Sequence, residues 1–597
     1  MLASPRLGGS HRWILEAKWA LLTASLGSAA ACALALGKGS WRPRTAAAGA
    51  AWGLAGAQAL SAVWEGLGES AAFRCAELAA LALAMAWASR CRRQARLLLG
   101  GMAGLGALTG ALVIAQRSGR DPLGLLAGAH GPGAATFDHK GLSAAFLSIA
   151  LGPALLFALG ARDRGRWAAW TFLALITAGL SWSDTRAAWL GALASLVVLG
   201  LILRGTWSRK SMGLGLLVLA ASGGLGLLTL SRAGLGGNLA QRALGILSTQ
   251  DRNRQYRMAF WGASIEAWRE RPWLGHAPGS FPEAVAPHAA RLLRPSTWDG
   301  ASPFAHNDFI QTGVEAGWLG VAALAFLGMV LVRSFARPSQ EPSTRAACAA
   351  GLTAGAVNAM LAFPLFEPGC ALALAILAGL LSAPEEEAPG RGEKRPGLAA
   401  VAALLTLLSL RLPLALGLSL SGHAERASAL APGLAQARLG AFGKARDRRD
   451  PPEAKRQLHE ARRWHPRDSE VWASLGQVRW LEKDLPGARR SLDRAVALAP
   501  WNGLARLNLA TLRFQQGDPP GAYADLERCL KELPDYAVLV HRSWGRLMAL
   551  EGEDPLGAIE HLERSLADGG HPPTAEERAQ CEAWIAGCRR RVSVRSP

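Results

Sequence analysis

The chain is short of charge and short of cysteine chemistry. Only 18% of its 597 residues are charged, against 50% hydrophobic. Its eight cysteines form no CxxC pair and show no metal-ligand spacing, so the zinc and thiol-redox motifs that such spacings announce are missing. Cys581 and Cys588 lie seven residues apart, about 10 Å along a helix and beyond disulfide reach. The cysteines read as small apolar fillers. The stretch before residue 17 lacks a small-residue cleavage site in the right place, so it does not resemble a removable secretory signal.

What is present divides the chain in two. Up to about Gly422 the sequence is a succession of apolar stretches of about 20 residues, each long enough to cross the hydrocarbon core. Beyond it the chain turns charged and amphipathic. Candidate spans are 17–37, 45–63, 71–89, 97–115, 143–161, 167–182, 187–204, 212–230, 310–332, 345–363, 366–383 and 398–420. The expected fold is all-α: a polytopic membrane helix bundle of about 12 spans over residues 1–420, followed by a soluble α-solenoid at 421–597. Ala and Gly are abundant in the spans, and small residues suit close helix packing in lipid.

The net charge of +20 is not a nucleic-acid signature, because the arginines cluster in short loops of alternate sides. Arg90, Arg92, Arg93 and Arg96 form one group, and Arg162, Arg164 and Arg166 another. Arg204, Arg209 and Lys210 follow, then Arg333 and Arg337. By the positive-inside rule these loops are cytoplasmic. The long loops 116–142 and 231–309, and everything after 420, then face the other side. Lys38, Arg42 and Arg44 place the N-terminus outside while Arg6, Arg12 and Lys18 argue the reverse, so that side stays open.

The tail repeats with a period of 34: Pro466, Pro500 and Pro534. Twelve residues before each stands Ala454, Ala488 or Ala522, with Leu458, Leu492 and Leu526 and small Ala461, Ala495 and Cys529 in phase. Trp472, Leu475 and Gly476 occupy first-helix positions. The pattern resembles tetratricopeptide repeats, in which two helices per unit stack on their neighbours and the proline ends the second helix. A further unit is expected at 537–568, with Ala558 displaced by two residues, and a capping helix at 574–591. Such a solenoid presents a concave face to a protein partner.

The polar residues worth explaining lie at the last apolar entrance after the 231–309 loop. His306, Asn307, Asp308 and Gln311 open a run that stays apolar to Val332. Such groups at a bilayer entrance are costly unless they handle polar substrate. Upstream, Arg257-Met258-Ala259-Phe260-Trp261 has the look of an amphipathic helix, and Pro272 to Phe281 dictates tight turns. A loop of that length is usually functional.

These segments, in this order, resemble the O-antigen ligase and polymerase superfamily, itself similar to bacterial protein O-oligosaccharyltransferases. The resemblance spans about 130–385. It rests on the Arg257-x3-Trp261 helix, the Pro272-x2-Gly275-x3-Gly279-x-Phe281 turn, His306-Asn307 at a span mouth, Arg186 before Ala187-Ala188-Trp189, and Phe363-Pro364-Leu365-Phe366-Glu367-Pro368. The chain departs from the family at Asp184-Thr185, at Ala277 where a glycine is usual, and at His139-Lys140 where an Asn pair is usual. The resemblance implies a multi-pass enzyme of the bacterial inner membrane, with the loop and the repeat domain in the periplasm. It implies an inverting C-type glycosyltransferase that moves a glycan from undecaprenyl diphosphate to a hydroxyl on a glycan, lipid or protein acceptor, with no metal, cofactor or nucleic acid. It further implies His306 as the base, Arg186 and Arg257 as diphosphate ligands, and Asn307 as a substrate-side residue that orients the histidine or caps the helix. Histidine suits a base near neutral pH, and arginine's fork suits phosphate oxygens.

Other readings stand beside these. Arg186 also fits an arginine snorkelling to headgroups, and Arg257, with Arg252 and Arg254, fits a basic loop on anionic lipid. Asp308, Gln311 and Glu315 make one polar stripe, which fits an acceptor path, helix capping or helix–helix hydrogen bonding. Arg74 and Glu77, at i and i+3, read as a neutralising pair, and Asn358 as packing glue. A lipid-linked glycan flippase would show two similar halves with broken helices, which the sequence lacks. A non-catalytic membrane scaffold for polysaccharide export would make the candidate residues dispensable.

Overall fold

The computed structural model describes residues 45–595 apart from 66–68, 121–134, 162–164, 205–216, 229–251, 293–303, 337–340, 385–413, 432–434, 568–574 and scattered shorter gaps. The expected spans 17–37, 212–230 and 398–420 lie wholly or largely outside the described residues. The described elements are all helices. The first group is α1 (Ala46–Glu65), α2 (Glu69–Ala88), α3 (Ala95–Arg117), α4 (Lys140–Gly160), α5 (Gly165–Trp182), α6 (Arg186–Leu203), α7 (Arg252–Glu270), α8 (Phe281–Leu292), α9 (Asp308–Ala336), α10 (Pro342–Leu361) and α11 (Pro368–Leu381). The described parts of 1–282 and 302–421 form one compact unit, and those of 283–301 and 422–597 a second.

In the first unit, five described stretches are long and apolar enough to cross a membrane: Ala46–Trp64, Arg92–Arg117, Lys140–Gly160, Arg186–Leu203 and Asp308–Ala336. Pro368–Leu381 is apolar but shorter. The expected spans 71–89, 167–182 and 345–363 are helical, yet their composition falls short. Arg74 and Glu77 dilute α2, and Ser, Thr and Asn dilute α10. Helix α4 is buried along nearly its whole length, enclosed by α3, α5, α6, α10 and α11. Small residues let these helices close up. A Cβ on Gly191 of α6 would sit 2.5 Å from Asn358 Nδ2 of α10, and that amide donates to Ser148 Oγ of α4 at 3.0 Å. Asn358 is thus an interhelical tie, as small-and-polar membrane packing favours.

Helix α9 is two helices. At Gly317 the backbone takes φ 61°, ψ −160°, a left-handed conformation open to glycine. The break would strand backbone groups, and in lipid each must find a partner. The turn after α7 supplies most of them. Trp318 N–H donates to the Pro272 carbonyl (2.7 Å) and Leu319 N–H to that of Trp273 (3.3 Å), while His276 N–H donates to the Val314 carbonyl (2.9 Å). Ser61 Oγ of α1 donates to the Glu315 carbonyl at 2.9 Å. The turn approaches so closely that a Cβ on Gly317 would stand 2.6 Å from Leu274 N. Beyond the break, Trp318–Ala336 alone is about 28 Å long, close to the thickness of the hydrocarbon core. The segment Asp308–Ala316 is therefore a separate short helix carrying the polar residues.

The second unit is built of helical hairpins, as the 34-residue period predicts. After α12 (Ala424–Leu430) come α13 (Ala435–Asp447) with α14 (Pro451–Trp464), α15 (Ser469–Leu481) with α16 (Leu485–Leu498), α17 (Gly503–Gln515) with α18 (Pro519–Glu532), and α19 (Ala537–Glu551) with α20 (Pro555–Ala567). Helix α21 (Ala575–Arg595) follows, where the capping helix is expected at 574–591. The in-phase residues Ala454, Leu458, Ala461, Ala488, Leu492, Ala495, Ala522, Leu526 and Cys529 are buried. Each second helix opens on an aspartate whose carboxylate accepts from a backbone N–H three residues on: Asp450, Asp484, Asp518 and Asp554. An Asp N-cap before proline is a strong start signal that a reading from the alanines and prolines alone overlooks.

Two predictions follow from this packing. Gly317→Ala forces a side chain into a left-handed backbone, costing about 1–2 kcal/mol before it meets the 273–274 backbone. Its thermal midpoint should fall well below that of Gly328→Ala, since nothing lies within 4 Å of a Cβ there. Equal midpoints would show that the turn is not packed on the break. In the tail, His541 Nδ1 and His561 Nδ1 stand 2.8 Å apart. Burial, then His541 and Arg564, pushes His561 down to about 4. The unfolded chain takes up that proton near the ordinary value of about 6.5 and the folded chain only near 4, so stability is full above 6.5 and is lost as pH falls toward 4. Amides of α19 and α20 in the full-length protein should lose exchange protection between pH 7 and pH 5, and less so in His561→Gln. Unchanged protection in the wild type would refute the assignment.

Candidate functional site

Helices α3, α4 and α5 pack as neighbours of alternating direction, and α6 packs on α4 and α10 rather than on α5. The contact of Gly191 with Ser148 and Asn358 sets the starts of α4 and α6 at the end where α10 finishes and α11 starts. The connection between those last two helices is the short link Ala362–Glu367, containing a 3-10 turn at Pro364–Phe366. Pro364 and Pro368 bar a continuous helix. The link's backbone and the last carbonyls of α10 therefore need partners, and side chains from three distant segments provide them.

Asn307 supplies one. Its Oδ1 accepts from Phe309 and Ile310 N–H, both at 3.0 Å, which caps the short first half of α9. Its Nδ2 donates to the Met360 carbonyl at 3.1 Å. Arg257 of α7 donates to the next carbonyl, Leu361, at 2.9 Å. Asp308 Oδ2 accepts from Leu365 N–H at 3.1 Å, and Arg74 of α2 donates to the Leu365 carbonyl at 3.2 Å.

His306 stands against the same link. Its ring meets Phe363 edge-on at 5.1 Å between centroids, and Phe304 stacks on Phe363 at 4.3 Å. Trp261 Nε1 donates to the Ala305 carbonyl at 2.8 Å, and Ala305 N–H donates to Gln311 Oε1 at 3.0 Å, so the residue before the histidine is held from both sides. His306 itself has φ 52°, a left-handed backbone uncommon outside glycine, and such strain persists only where the surroundings over-determine it. The ring is half-buried. Burial first, then the Arg257 guanidinium and the His139 ring, push its pKa down to about 3, so the imidazole is neutral at neutral pH.

His139 begins the same end of the bundle from α4. Its Nδ1 accepts from Gly141 N–H at 2.9 Å, which caps α4 and, in the neutral ring, leaves the proton on Nε2. Arg186 opens α6 and is half-buried. Gly191, five residues on, lies against Asn358, so in these antiparallel helices Arg186 reaches the level of Leu361, where Arg257 is anchored.

Of the readings open for the polar stripe, hydrogen bonding within the bundle is the one that holds. Asp308, Gln311 and Glu315 are 0%, 1% and 1% exposed, so the stripe does not line an open path. Gln311 Nε2 donates to Glu315 Oε1 at 3.2 Å, and Asn307, not Asp308, caps α9. Arg74 does pair with Glu77, but it also lies 3.9 Å over the Phe366 ring. Its part in the site carried no sequence signal, because its partners there are a backbone carbonyl and a ring almost 300 residues away.

Among solved structures, the chain is similar to PilF of Pseudomonas aeruginosa (18% identity, TM-score 0.24, covering 32% of this chain and 92% of that one). It is also similar to human IFIT1 in a dimer with m7Gppp-AAAA (12%, 0.27, 76% and 87%) and to yeast Tom70 (14%, 0.27, 76% and 93%). TM-scores this low carry no argument about the fold. No curated protein matches the chain. Residues 171–325, which include Arg186, Arg257, His306 and Asn307, match the family model described as O-Antigen ligase.

Proposed function

We propose that this protein is an inner-membrane glycosyltransferase that moves a glycan from undecaprenyl diphosphate to an acceptor hydroxyl at the periplasmic face. The observation that carries the reading is the grouping of a neutral imidazole with a guanidinium on one rigid link: His306 against Phe363, and Arg257 on Leu361. In the proposed step His306 takes the proton of the acceptor hydroxyl while its oxygen attacks the anomeric carbon. The bond from that carbon to the diphosphate oxygen breaks, and the electron pair leaves with the diphosphate. Arg257 and Arg186 hold the departing anion, with the fork geometry that phosphate oxygens favour. Attack opposite the leaving group inverts the anomeric centre.

A base held at about pKa 3 is weak at neutral pH. Part of that depression comes from Arg257, and a diphosphate arriving there offsets the cation. Donor binding then lifts the share of the depression that Arg257 contributes, while the larger share from burial remains, so the base strengthens once the donor is in place. This order suppresses proton removal in the empty site.

In this reading the full bundle has about 12 spans, and residues 421–597 hang in the periplasm as the surface for a protein partner or acceptor. The break in α9 is the feature that favours a transporter. In broken-helix transporters, however, the interruption lies near mid-bilayer. Here the 19 residues from Trp318 to Ala336 account for a full span, which puts Gly317 at the interface.

His306→Ala should lower turnover by roughly 100- to 10,000-fold while the protein still inserts, and the strain should accumulate undecaprenyl-linked glycan on the periplasmic side. Unchanged surface glycan would sink the transferase reading. In the purified enzyme, the acid limb of kcat, which reports the donor complex, should lie at higher pH than that of kcat/KM. Arg257→Gln should shift the kcat/KM limb upward. Coincident limbs in the wild type would refute donor-dependent tuning.

A further inference from the structure

The Leu365 peptide is gripped from both sides, and neither grip belongs to the chemistry proposed above. Its N–H donates to Asp308 Oδ2, two residues past His306. Its carbonyl accepts from Arg74, whose guanidinium also covers the Phe366 ring and pairs with Glu77. Arg74, Glu77 and Asp308 are 7%, 4% and 0% exposed. Taking such groups out of water is costly, and well-packed apolar side chains in their place are often neutral or stabilising. Stability alone therefore does not account for this arrangement. The link does account for it: two residues before Leu365 lies Phe363, against which His306 rests, and four residues before it lies the Leu361 carbonyl that anchors Arg257.

We propose that Arg74 and Asp308 are positioning residues of the glycan-transfer site, fixing the Leu365 peptide and through it the pose of His306 and Arg257. The inference rests on the transferase reading and adds to it a clamp that touches neither donor nor acceptor. A displacement of about 1 Å in a reacting group costs up to about 100-fold in rate. Losing the clamp thus acts on turnover before it acts on binding.

The test uses the full-length protein in nanodiscs. The donor is the undecaprenyl-diphosphate-linked glycan of the host strain, and undecaprenyl diphosphate alone is the binding probe. Asp308→Ala should lower kcat roughly 10- to 100-fold with probe affinity near wild type, and its thermal midpoint should fall because the Leu365 N–H is left without its acceptor. Asp308→Asn, which keeps a carbonyl oxygen for Leu365 N–H, should restore most of the turnover. The double variant Arg74→Met/Glu77→Leu removes the other grip and its counter-charge together. It should match Asp308→Ala in turnover without losing its fold, and it decides the matter if Asp308→Ala does not fold. Wild-type kcat in the folded variants overturns the clamp. So does a failure of Asp308→Asn to recover when its midpoint is intact. His306→Ala run alongside separates the two ideas: if it is inactive while the clamp variants are fully active, only the clamp falls. If it turns over normally, the transferase reading itself falls.

Discussion

Irregular backbone at the edge of a membrane must find hydrogen-bond partners, and most of the site follows from that requirement. The described membrane unit breaks its helical ladder at two places that matter, Gly317 in α9 and the link between α10 and α11. At the first, the Pro272–His276 turn supplies carbonyls and an amide to the broken ends. At the second, Asn307, Arg257, Asp308 and Arg74 satisfy the link and the last carbonyls of α10. The two repairs share segments, because α7 leads into the turn that mends α9 and also carries Arg257. A change in one is therefore felt by the other.

The electrostatics follow from the same assembly. The side chains that converge on the link bring a guanidinium and a second imidazole beside His306 and strip it of water, which holds its ring neutral. The result is an uncharged imidazole under the influence of a guanidinium. That pairing suits the proposed donor, whose leaving group is an anion, and the proposed acceptor, which must lose a proton. The left-handed backbone at His306 belongs to the same logic: the residues on either side are tied down, and the strain sits where the chemistry is proposed. Ala277, at φ 81° where the resembled family has glycine, is a second strained position, in the turn beside the α9 repair.

Legibility differed sharply between the two halves. In the tail each helix pair repeats the same local rules, so Ala454, Leu458 and their counterparts announced their burial through spacing alone, and the structure follows. The Asp N-caps were equally available in the sequence, at Asp450, Asp484, Asp518 and Asp554, and needed only to be looked for. In the membrane half, apolar composition located the helices but not the break in α9, because Gly317 stands among other glycines that keep ordinary helical geometry. His306, Arg186, Arg257 and Asn307 were legible as residue types in a familiar order. The helix cap at Asn307 was legible in the same way, whereas the reach of Arg74 to the link was not.

Spacing and residue chemistry along the chain were enough for the helical class, the repeat of the tail, and a short list of polar residues too costly to keep at a membrane entrance without use. Those properties depend on side-chain chemistry and on spacing within a few helical turns, which the chain carries locally. Tertiary structure alone decided which residues meet at the link, because the atoms being recognised there are backbone carbonyls and amides. Every residue has them, so no residue type advertises them. Their partners become known only when helices distant in sequence are brought to one end of the bundle.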